Sequence, residues 1–277
     1  MLYLILVSLV WAFSPGLIGQ KLTGLDSAFV TTARLALALL VFLPFFRWRG
    51  LSLRHTGVLL CLGAVQFGVM YLAYNESFKH LASHEVALFT LTTPVFVTLI
   101  ADALDGQFHA RSLGAAALAV AGTAVVVFQD KALKPTLVGL GLVQLSNLAF
   151  AIGQIGYKKF REKNQALKDR EVFAVLYAGG VALALAMIMT RDVTVHLTTT
   201  HLLTLLYLGV IASGLGFFFW NFGALRVSAG ELAVMNNAKI PLMVAVSLVV
   251  FREHANIVRL VASLVLFIFA VWLADRR

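Results

Sequence analysis

The chain has 277 residues, of which 60% are hydrophobic and only 13% charged, and its mean hydropathy is +0.90. That leaves too little polar surface to cover a water-soluble globule, so lipid is the expected solvent for most of it. The formal charge of +9 does not point to nucleic acid, because Lys and Arg sit between apolar segments and form no basic stripe interleaved with aromatics. One cysteine, Cys61, leaves neither an intramolecular disulfide nor a cysteine-based zinc site.

Apolar runs bounded by charged or turn residues predict ten spans, at about 2–22, 26–46, 56–77, 84–104, 112–128, 137–157, 172–190, 202–225, 231–251 and 257–274. The first lacks a basic leader and a small-residue cleavage site, so it reads as a helix and not as a secretory signal. It carries Trp11, Ser14 and Pro15. The second holds Arg34 about two turns inside its outward end, deep for a charge but near enough to snorkel. A permanently charged planar fork there suits a carboxylate, or the C-terminal end of a neighbouring helix. The third span ends in Tyr71, Tyr74, Asn75 and Glu76, the last being the best acidic candidate for proton coupling. The fourth opens on Glu85 and contains Pro94. On the fifth, Ala115, Ala119 and Gly122 share one face, which favours close helix packing or a homodimer contact.

The sixth span carries Gln144, Asn147 and Gln154, and the charged link FREKNQALKDR follows it just past the midpoint of the chain. The eighth carries Trp220 and Asn221. In the ninth, Asn236, Asn237 and Lys239 precede Pro241, whose ring frees the carbonyl of Asn237, so local unwinding is expected beside a cation. Lys239 then either pairs with a substrate carboxylate or a coupling proton, or satisfies the freed carbonyls. Arg259, near the start of the tenth span, reads as an interfacial anchor.

Ten spans put both termini on one side. Loops on that side carry thirteen Lys and Arg, against six on the other (Lys21, Lys79, Lys131, Lys134, Arg191 and Arg252), so both termini are expected in the cytoplasm and the protein in the inner membrane. Shifting the chain by 137 residues lays Ala12, Phe13, Gly16 and Gly19 on Ala149, Phe150, Gly153 and Gly156. A shift of 146 lays Gly63, Gly68, Asn75 and Glu85 on Gly209, Gly214, Asn221 and Glu231, with Tyr74 opposite Trp220. The expected fold is therefore an all-α polytopic membrane protein: ten transmembrane helices as two inverted five-helix repeats, 1–131 and 132–277. An odd-numbered unit copied once enters the membrane the other way up, and such pairs place a substrate site between the halves near the bilayer midplane. The Tyr74, Asn75 pair and the Trp220, Asn221 pair are then expected towards opposite ends of one pathway.

The segments VSLVWAFSPGLIGQK, TTARLALALLVFLPFF, ALFTLTTPVF and NNAKIPLMVAVSLVVFRE, taken in this order, resemble the drug/metabolite transporter superfamily and its EamA-type family of two tandem five-helix units. The resemblance implies a central cavity lined by spans 1–4 and 6–9, with spans 5 and 10 as scaffold. It implies export or import of small metabolites. One departure is that the first span offers Trp11, Ser14 and Pro15 where drug-exporting small relatives carry a membrane-embedded Glu, so cationic drug efflux is not expected.

An intramembrane enzyme would need paired aspartates, a Ser and His pair, or a His-Glu-x-x-His helix. None lies in the spans, so no catalytic residue, metal site or cofactor is expected. A membrane receptor remains the other alternative. The resulting expectation is a secondary transporter, by family habit an exporter, of a small molecule such as an amino acid or related carboxylate. Its binding residues are Trp11, Ser14, Arg34, Tyr71, Tyr74, Asn75, Asn147, Trp220, Asn221, Asn237 and Lys239, and its coupling residues Glu76 and Lys239.

Overall fold

The computed structural model describes residues 2–106, 114, 117–118, 120–122, 125, 133–226 and 229–275. Among these the regular structure is helical, with no strand. Helix α1 spans Leu2–Lys21, α2 Ser27–Phe45 and α3 Leu53–Ser77. Residues 83–105 form α4. After it come α5 at Leu133–Lys163, α6 at Asp169–Ile188, α7 at Thr199–Ala224, α8 at Ala229–Val249 and α9 at Ile257–Asp275. Six of them, α1–α3 and α5–α7, are long and apolar enough to cross a membrane. The described residues of the predicted fifth span are helical, whereas Ala115 and Ala119 of its small-residue face lie outside the described set.

Local chemistry sets the helix starts. The Asp26 carboxylate accepts the backbone N–H groups of Ala28 and Phe29 at 2.8 and 3.1 Å, and Ser52 Oγ accepts that of His55 at 3.1 Å. Glu85 accepts the N–H of Ala82 at 2.9 Å, the capping role its position at the start of the fourth span suggests. On α9, Val258, Val261, Val265, Phe269 and Trp272 all turn outward, at spacings of three and four. That stripe is the face of a helix solvated by lipid.

Packing runs mainly between the two halves of the chain. Helix α2 lies on α6, and α4 on α8; α3 meets α6 as α7 meets α2; α3 meets α5 as α7 meets α1; and α4 meets α5 as α8 meets α1. Exchanging α1 with α5, α2 with α6, α3 with α7 and α4 with α8 leaves this pattern unchanged. The closest crossing is that of α3 over α6, where Gly63 lies against the backbone of Leu176 and Gly179 against the backbone of Leu60. Only glycine lets two helix backbones approach in this way.

Wide π-type turns interrupt α3 at Ala64–Val69 and α7 at Tyr207–Leu215, overlapping positions under the 146-residue shift. Such turns loosen the regular hydrogen-bond ladder and recur at functional sites. Two helices with proline behave differently. Helix α4 tightens into a 3-10 stretch at Thr90–Thr92, just ahead of Pro94. Helix α8 runs unbroken through Pro241, so the unwinding expected next to Lys239 does not occur. Flanking turns carry α8 across the missing donor.

Candidate functional site

Between the halves lies a cavity of about 90 Å³, lined by Trp11 and Ser14 of α1, Arg34 of α2, Tyr71 and Tyr74 of α3, Thr93 of α4, Asn147 and Phe150 of α5, Phe217 of α7, and Lys239 of α8, among others. Among the described lining residues there is no Asp or Glu, whereas two are cations. Seven of the residues picked out from sequence thus meet on one wall: Trp11, Ser14, Arg34, Tyr71, Tyr74, Asn147 and Lys239.

Arg34 does not snorkel. It is 2% exposed and enclosed by neutral partners. Its Nε and Nη2 donate to Ser213 Oγ at 3.3 and 3.1 Å, and its Nη1 donates to Asn75 Oδ1 at 3.3 Å. Its guanidinium also lies 4.1 Å from the centre of the Tyr71 ring. Tyr71 and Ser213 hydroxyls are 2.8 Å apart, and Asn75 Nδ2 donates to Thr31 Oγ1 at 2.8 Å. These bonds tie α2, α3 and α7 into one network. Ser213 sits at its centre because the wide turn of α7 carries it there.

Lys239 is held differently. Its ammonium lies over the faces of Trp220 at 4.5 Å, Trp11 at 4.6 Å and Phe150 at 5.7 Å. Ring faces attract cations, and the attraction grows when water is excluded. Trp11 is itself anchored, its Nε1 donating to the carbonyl of Ala212 at 2.8 Å. Ser14 is 6% exposed, and its Oγ has no partner among the described residues, which leaves it open to a ligand. Asn147 Nδ2 donates to the carbonyl of Phe89 at 3.0 Å and to Thr92 Oγ1 at 2.8 Å, satisfying backbone where α4 changes turn.

Other candidates fall elsewhere. Asn75 is off the cavity wall and lines a second space of about 510 Å³, shared with Asp26, Ser27, Lys79 and Asp192. Trp220 supports Lys239 from behind, and Asn221 is buried without lining the cavity. The side chain of Asn237 lies outside the described residues. Glu76 is not on the cavity wall: its carboxylate accepts from Ser27 and from Lys79 at 3.0 Å, and lies 3.6 Å from Arg191. Arg191 also pairs with Asp26 at 3.0 Å, so a cluster of charges ties the second half of the chain to the first at the Asp26 end. Burial raises the Asp26 carboxyl, but backbone N–H groups and Arg191 outweigh it and hold the group below the ordinary Asp value.

Close by, Glu253 accepts backbone N–H groups of Ser83 and His84 at 3.2 and 2.9 Å and lies 2.7 Å from His84 Nδ1. Burial raises its carboxyl, but the bonds from His84 and Ser83 outweigh that and bring it down to about 2.

The EamA-like transporter family profile matches residues 1–128 and again residues 137–274. The chain belongs to the EamA-like transporter family. The tandem match agrees with the resemblance seen in the four sequence segments. A Pseudomonas aeruginosa protein named "Probable biotin transporter" is 39% identical over 276 residues, covering 98% of this chain and 96% of its own. The protein named "Biotin transporter" of Escherichia coli is 36% identical over the same length, covering 98% and 92%. The Salmonella typhimurium protein of that name matches equally. A solved crystal structure shares the fold at a TM-score of 0.68 and 16% identity, covering 99% of this chain and 95% of the other. The EamA-type chain is thus a multi-pass membrane transporter and not an enzyme.

Several cavity residues escaped the sequence reading, among them Met70, Thr93, Phe150, Phe217 and Met243, and so did the network centre Ser213, which is not on the cavity wall. Phe150 and Phe217 carried a signal, as the repeat mates of Phe13 and Tyr71.

Proposed function

We propose that this chain is a secondary transporter of biotin, which it binds in the cavity between its halves and exposes alternately to the two sides of the inner membrane. The observation that carries the reading is the cavity wall itself: aromatic rings, uncharged donors and two cations, with no carboxylate among the described residues. Biotin brings a compact fused ring, a ureido group and one carboxylate, and each has a counterpart there. An amino acid brings an ammonium as well. Such a group would enter a site with two positive charges and, among the described residues, no acid to meet it, which is why the amino acid cargo expected from sequence gives way to biotin. The names of the relatives support the same cargo over nearly the whole chain.

The proposed architecture is ten helices in two inverted units, 1–131 and 132–277, with both termini cytoplasmic. The exchange symmetry of the helix contacts, the paired wide turns of α3 and α7, and the tandem family match support it. Within this reading Lys239 keeps the coupling role, and Glu76 serves to close the Asp26 end. The test is growth of a biotin-auxotrophic bacterium, stripped of its own uptake system, on limiting biotin. The chain should restore growth and Lys239→Ala should not. Normal membrane levels of the wild-type chain without growth would refute uptake. Loss of biotin from preloaded cells would then reveal the export expected from family habit.

A further inference from the structure

We propose that Arg34 makes this transporter select a free carboxylate, and that Ser213 is the positioning residue that aims it. The inference rests on the reading of the central cavity as the substrate site and assigns the recognition within it.

A guanidinium stays charged at any working pH, and a charge at membrane depth is costly unless something answers it. Elsewhere in the molecule arginines meet acids: Arg161 with Asp169 at 2.8 Å, and Arg191 with Asp26. Among the described residues no ion pair includes Arg34, although it is 2% exposed and lines the cavity. Its partners Ser213, Asn75 and the Tyr71 ring are all neutral.

The donor count gives the missing partner its shape. A guanidinium carries five N–H groups. Ser213 takes one from Nε and one from Nη2, and Asn75 takes one from Nη1. One N–H on each terminal nitrogen lies outside these bonds, as many as a carboxylate accepts from an arginine fork. Ser213 spends both lone pairs on Arg34, so its own proton goes to the Tyr71 oxygen 2.8 Å away. The Tyr71 hydroxyl hydrogen is thereby left for the same anion.

Ser213 can hold this position because α7 is pinned around it. Tyr177 donates to the carbonyls of Ser213 and Gly214 at 2.6 and 3.2 Å, and Trp11 to that of Ala212. Side chains from α1 and α6 thus hold three consecutive carbonyls in the wide turn. Lys239, against its ring faces, adds charge to the cavity but no comparable fork.

The experiment is inhibition of labelled-biotin uptake by unlabelled biotin and by biotinamide, which replaces the carboxylate with a neutral amide. It uses wild type, Arg34→Gln, Arg34→Lys and Ser213→Ala, each checked for a monodisperse peak in detergent. Wild type should prefer biotin by roughly 10- to 100-fold, the worth of a charge-assisted hydrogen-bonded contact. Arg34→Gln should bring the ratio near one, and Arg34→Lys should recover part of it. Ser213→Ala should raise KM by about tenfold with turnover much less changed. An unchanged ratio in Arg34→Gln overturns the proposal; if that variant does not fold, an unchanged ratio and KM in Ser213→Ala overturns it. If wild type neither imports nor exports biotin, the cargo reading fails separately. Arg34 is then judged by whether valerate, and not valeramide, raises the melting temperature of wild type but not of Arg34→Gln.

Discussion

Gly63 and Gly179 meet where α3 crosses α6, and adding one methyl group at either place tests whether the two halves pack as described. A Cβ on Gly63 would fall 2.7 Å from Leu176 Cα and closer still to its carbonyl oxygen; one on Gly179 would fall 2.9 Å from Leu60 Cα, again with the carbonyl nearer. Carbon atoms in contact sit about 3.5–4.0 Å apart. The helices must therefore separate by about 1 Å, and both sides of the clash are backbone that cannot rotate away. Overpacking of this kind costs about 1–3 kcal/mol. Alanine returns part of it, about 0.5–1 kcal/mol, through its better helix propensity. Gly57, on the same helix with nothing within 4 Å of a Cβ, measures that gain alone. Thermal unfolding in detergent, followed by size-exclusion fluorescence, should place Gly63→Ala and Gly179→Ala below wild type and Gly57→Ala at or slightly above it. The double variant should cost less than the sum, since one separation relieves both clashes. Gly63→Ala and Gly179→Ala melting together with Gly57→Ala would refute the crossing.

Lys239→Met keeps the bulk of the side chain and removes the charge that faces Trp11 and Trp220; biotin KM should rise about tenfold, the worth of one such cation contact, while the variant folds normally. Unaltered KM would remove Lys239 from the binding site. The Glu253 carboxyl is held at about 2 in the folded protein, against an ordinary value of 4.5, so its contribution to stability is complete above pH 4.5 and is lost as pH falls towards 2. Wild type should lose melting temperature over that window, and Glu253→Gln should show a lower but flatter profile there. Parallel profiles would mean that Glu253 does not hold the start of α4. Asn147→Ala leaves the carbonyl of Phe89 and the hydroxyl of Thr92 without an amide donor, and should cost about 1 kcal/mol in the same melt. No change there would mean that α4 keeps its turn without Asn147.

Much of the candidate site was legible because lipid makes polar residues conspicuous. Trp11, Arg34, Asn147 and Lys239 stand out in apolar runs, and the structure gathers them around one cavity. Ser213 does not stand out. Hydroxyls in membrane helices commonly bond to their own backbone, as Ser8 does to Leu4 and Thr31 to Ser27, so a serine says nothing until the turn around it is known. The wide turn at Tyr207–Leu215 has no marker in the sequence beyond Gly209 and Gly214. Proline was a poor guide. The unwinding expected beside Pro241 does not occur, and an irregularity that was not expected appears ahead of Pro94, because neighbouring packing decides whether a helix breaks or bends past a missing donor. For Glu76 its depth near a helix end was legible, but not the loop that returns Arg191 to it from the other half of the chain.

The most direct test places the purified protein alone in liposomes and follows tritiated biotin across the bilayer, with and without a pH gradient. Biotin should move saturably, with a raised KM in Trp11→Ala and Lys239→Ala and without inhibition by amino acids. Biotin movement no faster than in empty liposomes, or movement inhibited equally by amino acids, would contradict the biotin reading.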